Sequence, residues 1–204
     1  MAVAPAVAPF GSVPGQWGTM RRYIITGAPG AGKTTIVAAL RDLGYAVVEE
    51  AATDVIAREH ARGVEEPWRD AGFVDAIARL QREREQAPVP ASTAVQVFDR
   101  SPICTLALAH YGDRPAPPFL AGEVDRVVRA GVYERRVFMV RLLGFITPTS
   151  ARRITLAQSV RFERFHEEAY RDHGFDLFDV PPAPLAERVR LIERHLRSDA
   201  QDVG

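Results

Sequence analysis

The residues with the clearest chemical purpose are Gly27-Ala28-Pro29-Gly30-Ala31-Gly32-Lys33-Thr34, a run that satisfies G-x-x-x-x-G-K-[ST] at every fixed position. Glycines in such a run let backbone N–H groups turn inward around an anion with no Cβ in the way. A helix starting at the end of the run adds the partial positive charge of its N-terminus. Lys33 is placed to reach the β- and γ-phosphates of a nucleotide, and the Thr34 hydroxyl to ligate Mg²⁺. With Thr35 beside them, these residues predict a phosphate cradle for a nucleoside triphosphate, with ATP and Mg²⁺ as the expected cofactors. Lys33 is also the sole lysine of the chain, against 25 arginines. Lysine thus falls at the one place where a compact charge on a slim stem is wanted and arginine substitutes least well.

Three further groups of polar residues are candidates to complete a site. Asp99 and Arg100 end an apolar stretch, and strand C-termini line the ligand crevice of an open α/β sheet. Asp99 can hold Mg²⁺ there, directly or through water, while Arg100 reaches a phosphate or a substrate. The alternative is that Asp99 caps the next helix, with Ser101-Pro102 opening it, and Ser101 is read as a cap. Glu49-Glu50 end another apolar stretch; Glu50 is the candidate base and substrate-binding residue, Glu49 the lesser choice, and a solvated strand end the alternative. Arg152 and Arg153 precede a helix carrying Arg161 and Arg164. They are candidate catalytic arginines of a closing lid that stabilises a transferring phosphoryl, or else part of a solvated helix face.

These groups need a scaffold. Arg22–Thr26 reads as a short buried strand before the glycine-rich turn. From Gly32 the pattern turns helical, with Ile36, Val37 and Leu40 on one face and a stop at Gly44. Further strands are predicted at Tyr45–Val48, Ala94–Phe98, Arg136–Leu142 and Phe175–Val180. Helices are predicted over about 51–62, 70–87, 101–110 and 119–130, then one ending near 172, and a last one with Leu185, Val189, Ile192 and Leu196 on one stripe. Short apolar strands alternating with amphipathic helices imply a parallel sheet covered on both faces.

The 204 residues, 47% hydrophobic, suit a single domain over 20–197, after a disordered leader at 1–19 and before a polar tail at 198–204. Met20 stands just before the first strand as an alternative start. Zero net charge provides no global field toward nucleic acid or a membrane surface, and no membrane span is expected. One cysteine, Cys104, excludes an internal disulfide, fits a cytoplasmic location, and lies in an apolar run as a packing residue. The five histidines lack metal-ligand spacing. A homodimer is one assembly the sequence allows.

Over about residues 21–197 the chain resembles the P-loop small-molecule kinases, and within them an AAA-like ATPase/kinase family related to nicotinamide riboside and deoxynucleoside kinases. ITGAPGAGKTT, YAVVEEAA, VFDRSP and the closing GFDLFDVP…ERV carry the resemblance. It implies a three-layer P-loop NTPase fold, α/β, with a five-stranded parallel sheet in the order 2-3-1-4-5 and helices on both faces. By position it implies a base at Glu50, an acid-Arg-Ser motif at Asp99, Arg100 and Ser101, and an arginine lid at Arg152 and Arg153. The activity implied is phosphoryl transfer from ATP to a hydroxyl of a small-molecule acceptor. Trp68, Phe73, Tyr111 and Phe145 are candidates to line the acceptor pocket, with core packing as the alternative. A second function is a nucleotide-controlled switch or NTPase whose ATP or GTP state governs partner binding. An Asn-Lys-x-Asp guanine motif is impossible without asparagine or a second lysine. A motor ATPase lacks support, because the chain has neither an LSGGQ-like signature nor a helical lid domain.

Overall fold

Tyr23, Ile24 and Ile25 have no solvent exposure, because the strand that carries them, Arg21–Thr26 (β1), is covered on both faces. The computed structural model describes residues 20–144 and 155–201. In it, β1 is joined by Ala46–Val48 (β2), Val95–Asp99 (β3), Arg136–Val140 (β4) and Asp176–Val180 (β5). All neighbours pair in parallel, in the order β2-β3-β1-β4-β5. The helices are Lys33–Asp42 (α1), Ala51–Ala61 (α2), Phe73–Glu85 (α3), Pro102–Tyr111 (α4), Pro118–Arg129 (α5), Leu156–Asp172 (α6) and Leu185–Gln201 (α7).

Alternation along the strands divides the core. Ile24, Phe98 and Val137 face one way, into a cluster with residues of α2 to α6. Tyr23, Ile25, Val95, Val97, Phe138 and Val140 face the other, against Ile36, Val37 and Leu40 of α1 and Val189, Ile192 and Leu196 of α7. A period of two with both faces buried gives the near-continuous apolar runs that marked the strands in sequence.

The expected order 2-3-1-4-5 is the observed one, and element boundaries move by a few residues. The fourth strand stops at Val140 rather than Leu142, and the Arg141 side chain turns to Glu163 on α6 (3.0 Å), Glu167 and Asp179. The helix expected over 70–87 begins at Phe73, because Asp70 accepts from the Gly72 N–H at 2.6 Å and closes a turn first. A short 3₁₀ turn, Pro67–Arg69, precedes it.

β1 sits between β3 and β4, so the chain leaves its C-terminal end at a point where strand order changes direction. The crevice that opens there is where open α/β sheets bind ligands. The 27–32 loop, Asp99-Arg100 and Glu50 all emerge at this edge, from the ends of β1, β3 and β2.

Candidate active site

The loop after β1 adopts a conformation open almost only to glycine. Gly27, Gly30 and Gly32 have φ of 140°, 88° and 83°. A Cβ on Gly27 would lie 2.4 Å from the Val140 carbonyl oxygen, so the neighbouring strand also excludes a side chain. Gly32 caps α1 without a side-chain hydrogen bond, and the first turn holds no acidic residue. The N-terminal N–H groups and the positive end of the helix dipole are therefore not spent on a local carboxylate. Thr35 Oγ1 donates to the Gly32 carbonyl at 2.8 Å, and the Thr34 side chain is exposed.

Lys33 is buried and folds back over the loop, with Nζ donating to the Ala28 carbonyl at 3.0 Å. Burial, followed by the nearby Arg100 charge, lowers its pKa to about 8, while Asp99 and Glu50 pull the other way. A bound polyphosphate would restore the proton. If the loop cradles a nucleotide polyphosphate, the free protein is expected to take up a proton on binding above pH 8, and affinity to fall as pH rises from 8 toward 10. Calorimetry in buffers of different ionisation enthalpy measures that uptake, which Lys33→Ala abolishes.

Glu50 and Arg100 meet across the crevice. Arg100 Nε donates to Glu50 Oε1 at 2.5 Å, and Thr53 Oγ1 donates to Glu50 Oε2 at 3.0 Å. Burial alone would raise the Glu50 pKa, but the charges of Arg100 and Lys33 outweigh it and hold the carboxyl down to about 2. Glu49 points elsewhere: it is exposed and pairs with Arg41 at 2.6 Å. Arg100 takes φ of 76°, a left-handed conformation uncommon outside glycine, and its N–H donates to the Ile25 carbonyl at 3.0 Å. Asp99 is the last residue of β3, buried, and close enough to Lys33 and Arg100 to favour their charged forms.

Asp99 lies within the strand, and Ser101 occupies the N-cap position of α4, without a side-chain cap bond. The Ser101 hydroxyl instead meets the Tyr170 hydroxyl at 2.8 Å, which corrects its reading as a capping side chain. Cys104 is buried as expected, with Sγ 3.0 Å from both Thr26 Oγ1 and Tyr170 Oη. These contacts tie α4 and α6 to the residue just before the loop.

Residues 22–188 match the family described as AAA domain. The chain belongs to the AAA domain family. No curated protein matches it. Among solved structures, this AAA domain is similar to deoxyadenosine kinase from M. mycoides with the products dCMP and a flexible dCDP bound. That likeness has a TM-score of 0.58 at 17% identity and covers 87% of this chain and 98% of that one. Shikimate kinase from Acinetobacter baumannii in complex with shikimate gives 0.54 at 14% identity, over 90% and 96% of the two chains. Thymidylate kinase from Ehrlichia chaffeensis gives 0.54 at 15%, over 87% and 98%. At these identities what is shared is the fold.

The expected lid arginines of the AAA domain, Arg152 and Arg153, lie outside the described residues, as does Phe145. Of the aromatic candidates, Phe73 is core. Tyr111 packs on Phe162 and Phe165 at centroid distances of 4.7 and 5.7 Å, with Arg161 over its ring. Trp68 is half-exposed, edge-on to His60. Among the described residues, no cluster of three or more His, Cys, Asp or Glu could hold a metal, and no helix is long and apolar enough to cross a membrane.

Two residues at the site escaped the sequence reading. His166 is fully buried on α6 and touches Arg100. Arg188, in the first turn of α7, is buried and donates to the Ala31 carbonyl at 2.8 Å and to the Arg141 carbonyl at 2.9 Å. Burial lowers its pKa, and no carboxylate pairs with it among the described residues. The signal for each was its place on an apolar stripe, 166 beside 162 and 169, and 188 beside 185 and 192. Arg188→Met leaves two carbonyls without their donor and removes a cation from beneath the cradle. If the loop holds a nucleotide, the change is expected to weaken ATP binding about tenfold, ~1.4 kcal/mol, while unfolding stability changes by less than about 2 kcal/mol because a buried charge is relieved as well. Titration with a fluorescent ATP analogue, paired with urea unfolding, measures both.

Proposed function

We propose that this AAA domain is a phosphotransferase that moves the γ-phosphoryl of ATP to a hydroxyl of a small metabolite. The observation that carries the reading is the meeting, at one sheet edge, of a phosphate cradle with a buried lysine and a carboxylate–guanidinium pair, Glu50 with Arg100. The residues present fit Mg·ATP: a loop built on positive φ, an uncapped helix start, a buried ammonium, an exposed Thr34 hydroxyl and the Asp99 carboxylate. Thr34 and Asp99 would hold Mg²⁺, which when bound neutralises charge on the phosphates.

The chain's own groups supply the rest. Lys33 and Arg100 offer fixed positive charge to the transferring phosphoryl, and Arg152 and Arg153 are proposed to add theirs as a lid. Glu50 is acceptor-only and stands at the sheet edge beside Arg100, so an incoming hydroxyl could donate to it and be aligned. Its pKa of about 2 makes it a weak base while it is paired with Arg100. Phosphoryl transfer tolerates this, because the loose transition state asks for alignment and charge stabilisation more than for early deprotonation. As the new P–O bond forms, the bond from the γ-phosphorus to the bridging oxygen breaks and ADP leaves with that oxygen, while the hydroxyl proton passes to Glu50 or to solvent.

The acceptor class is drawn from the chemistry of the named neighbours, a nucleoside-like or other hydroxylated metabolite. Incubation with Mg·ATP and a panel of nucleosides, nucleoside monophosphates and shikimate, read as ADP release, tests the reading. Acceptor-dependent release is expected. Acceptor-independent hydrolysis combined with nucleotide-dependent binding to a macromolecule would support the switch instead.

A further inference from the structure

His166 stands 66 residues from Arg100 in sequence, yet its Nε2 lies 3.0 Å from Arg100 Nη1. A guanidinium nitrogen can only donate, so Nε2 accepts. Across the ring, Nδ1 lies 2.9 Å from the Phe162 carbonyl oxygen, which can only accept, so Nδ1 carries the proton. The two contacts define one state of the imidazole: neutral and protonated at Nδ1. Of the five N–H groups of Arg100, one goes to His166 and one to Glu50, on two edges of the same plane.

The acceptor is held firmly. His166 has no solvent exposure, and its ring lies 4.4 Å from that of Phe162 between centroids. One turn further along α6, Tyr170 is fixed to Ser101 and Cys104, and Glu163 and Glu167 hold Arg141. The charges that His166 feels are Arg100 beyond β3, Lys33 at the start of α1 and Glu50 before α2. Burial first, then Arg100, hold its pKa down to about 3. Protonation would set two cations within hydrogen-bond distance in a buried pocket.

We propose that His166 is a positioning residue for phosphoryl transfer: as a neutral acceptor opposite the Glu50 carboxylate, it sets the plane of the Arg100 guanidinium so that the remaining N–H groups meet the transferring phosphoryl. The inference rests on the phosphotransferase reading, since it assigns Arg100 to that phosphoryl. A bare Glu50–Arg100 pair would leave the guanidinium to pivot about its Nε contact. The second contact at Nη1 removes that freedom, and misplacement by about 1 Å at such a group can cost about 100-fold in rate.

His166→Leu removes the acceptor and keeps an apolar side chain of similar bulk, whereas His166→Gln returns an acceptor near the position of Nε2. With the acceptor found in the ADP-release panel, His166→Leu is expected to lower kcat about 10- to 100-fold with Mg·ATP affinity within about twofold, and His166→Gln to recover most of the loss. Nitrogen-15 spectra of the full chain give a readout independent of turnover. In the unmutated protein the His166 ring should appear as the Nδ1–H tautomer down to pH 5, and the Arg100 Nη1–H as a resolved, slowly exchanging signal that His166→Leu loses while the Nε–H held by Glu50 remains. An Nε2–H tautomer, an imidazole titrating near 6.5, or an Arg100 Nη1–H signal unchanged in His166→Leu would overturn the inference. So would full kcat in that variant. Should no acceptor be phosphorylated by the unmutated protein, the functional reading fails by itself, and the spectra still decide whether His166 holds Arg100. Should His166→Leu fail to fold, His166→Gln and the tautomer of the unmutated protein carry the test.

Discussion

Replacing Lys33 with alanine is expected to lower phosphoryl transfer by at least 10²–10³-fold, about 3–4 kcal/mol of lost transition-state stabilisation, while the fold survives. The ammonium is buried over the 27–32 loop with one backbone partner, the Ala28 carbonyl, and on the proposed reading its charge is what the site offers the phosphates. Its pKa near 8 shows that the nucleotide-free protein carries that charge at a cost. The unfolded chain holds the lysine proton up to its ordinary pKa of 10.5, so stability from this group rises with pH between about 8 and 10.5, and below 8 the cost is present in full. Lys33→Ala should therefore melt no lower than the unmutated protein at pH 7 without nucleotide, and should lose the increase in melting temperature that Mg·ATP gives. Steady-state kinetics and thermal melts with and without nucleotide check both halves. Lys33→Arg should rescue little, because a planar guanidinium does not fit where a slim ammonium does.

Gly27→Ala is expected to strike the fold itself. The added Cβ would stand 2.4 Å from the Val140 carbonyl oxygen and 3.3 Å from its carbonyl carbon, at a φ of 140° that L residues rarely adopt. The obstacle is backbone of β4, hydrogen-bonded into the centre of the sheet, so it cannot swing aside as a side chain can. Backbone strain and overpacking together should cost roughly 2–6 kcal/mol, a large share of the roughly 5–15 kcal/mol that holds a domain folded. Urea unfolding should show a much lower midpoint with an unchanged slope. A loss under about 1 kcal/mol would mean that the loop does not approach β4 as described. At Gly32 the added Cβ meets the end of the Arg188 side chain at 3.1 Å, so Gly32→Ala should disturb the cradle more than the sheet.

The sheet and the cradle were legible in sequence for physical reasons. Strands covered on both faces must be apolar throughout, and a loop that turns its N–H groups inward must carry glycine, so Tyr23–Ile25 and Gly27–Gly32 announce themselves locally. Glu50, Asp99 and Arg100 stood out as candidates because each ends an apolar run, and the structure brings them to one edge of the sheet. The partnerships were not visible. His166 meets Arg100 across 66 residues and Arg188 meets Ala31 across 157, and no local pattern encodes which polar residue on an apolar helix face will meet which loop. Ser101 looked like a cap because cap chemistry is local, and tertiary packing gave its hydroxyl to Tyr170 instead. The end of β4 was misplaced for a similar reason: Leu142 prolongs the apolar run, but Arg141 is drawn to Glu163, Glu167 and Asp179 on other elements.

The most direct test of the central claim follows the phosphoryl itself. The full chain and its Lys33→Ala variant are incubated with Mg²⁺, γ-phosphate-labelled ATP and a small-molecule extract, and the labelled products are separated. Label in an organic phosphate formed only by the unmutated protein is the predicted result, and it would identify the acceptor. Label appearing solely as inorganic phosphate from a protein that binds ATP would contradict transfer to a metabolite.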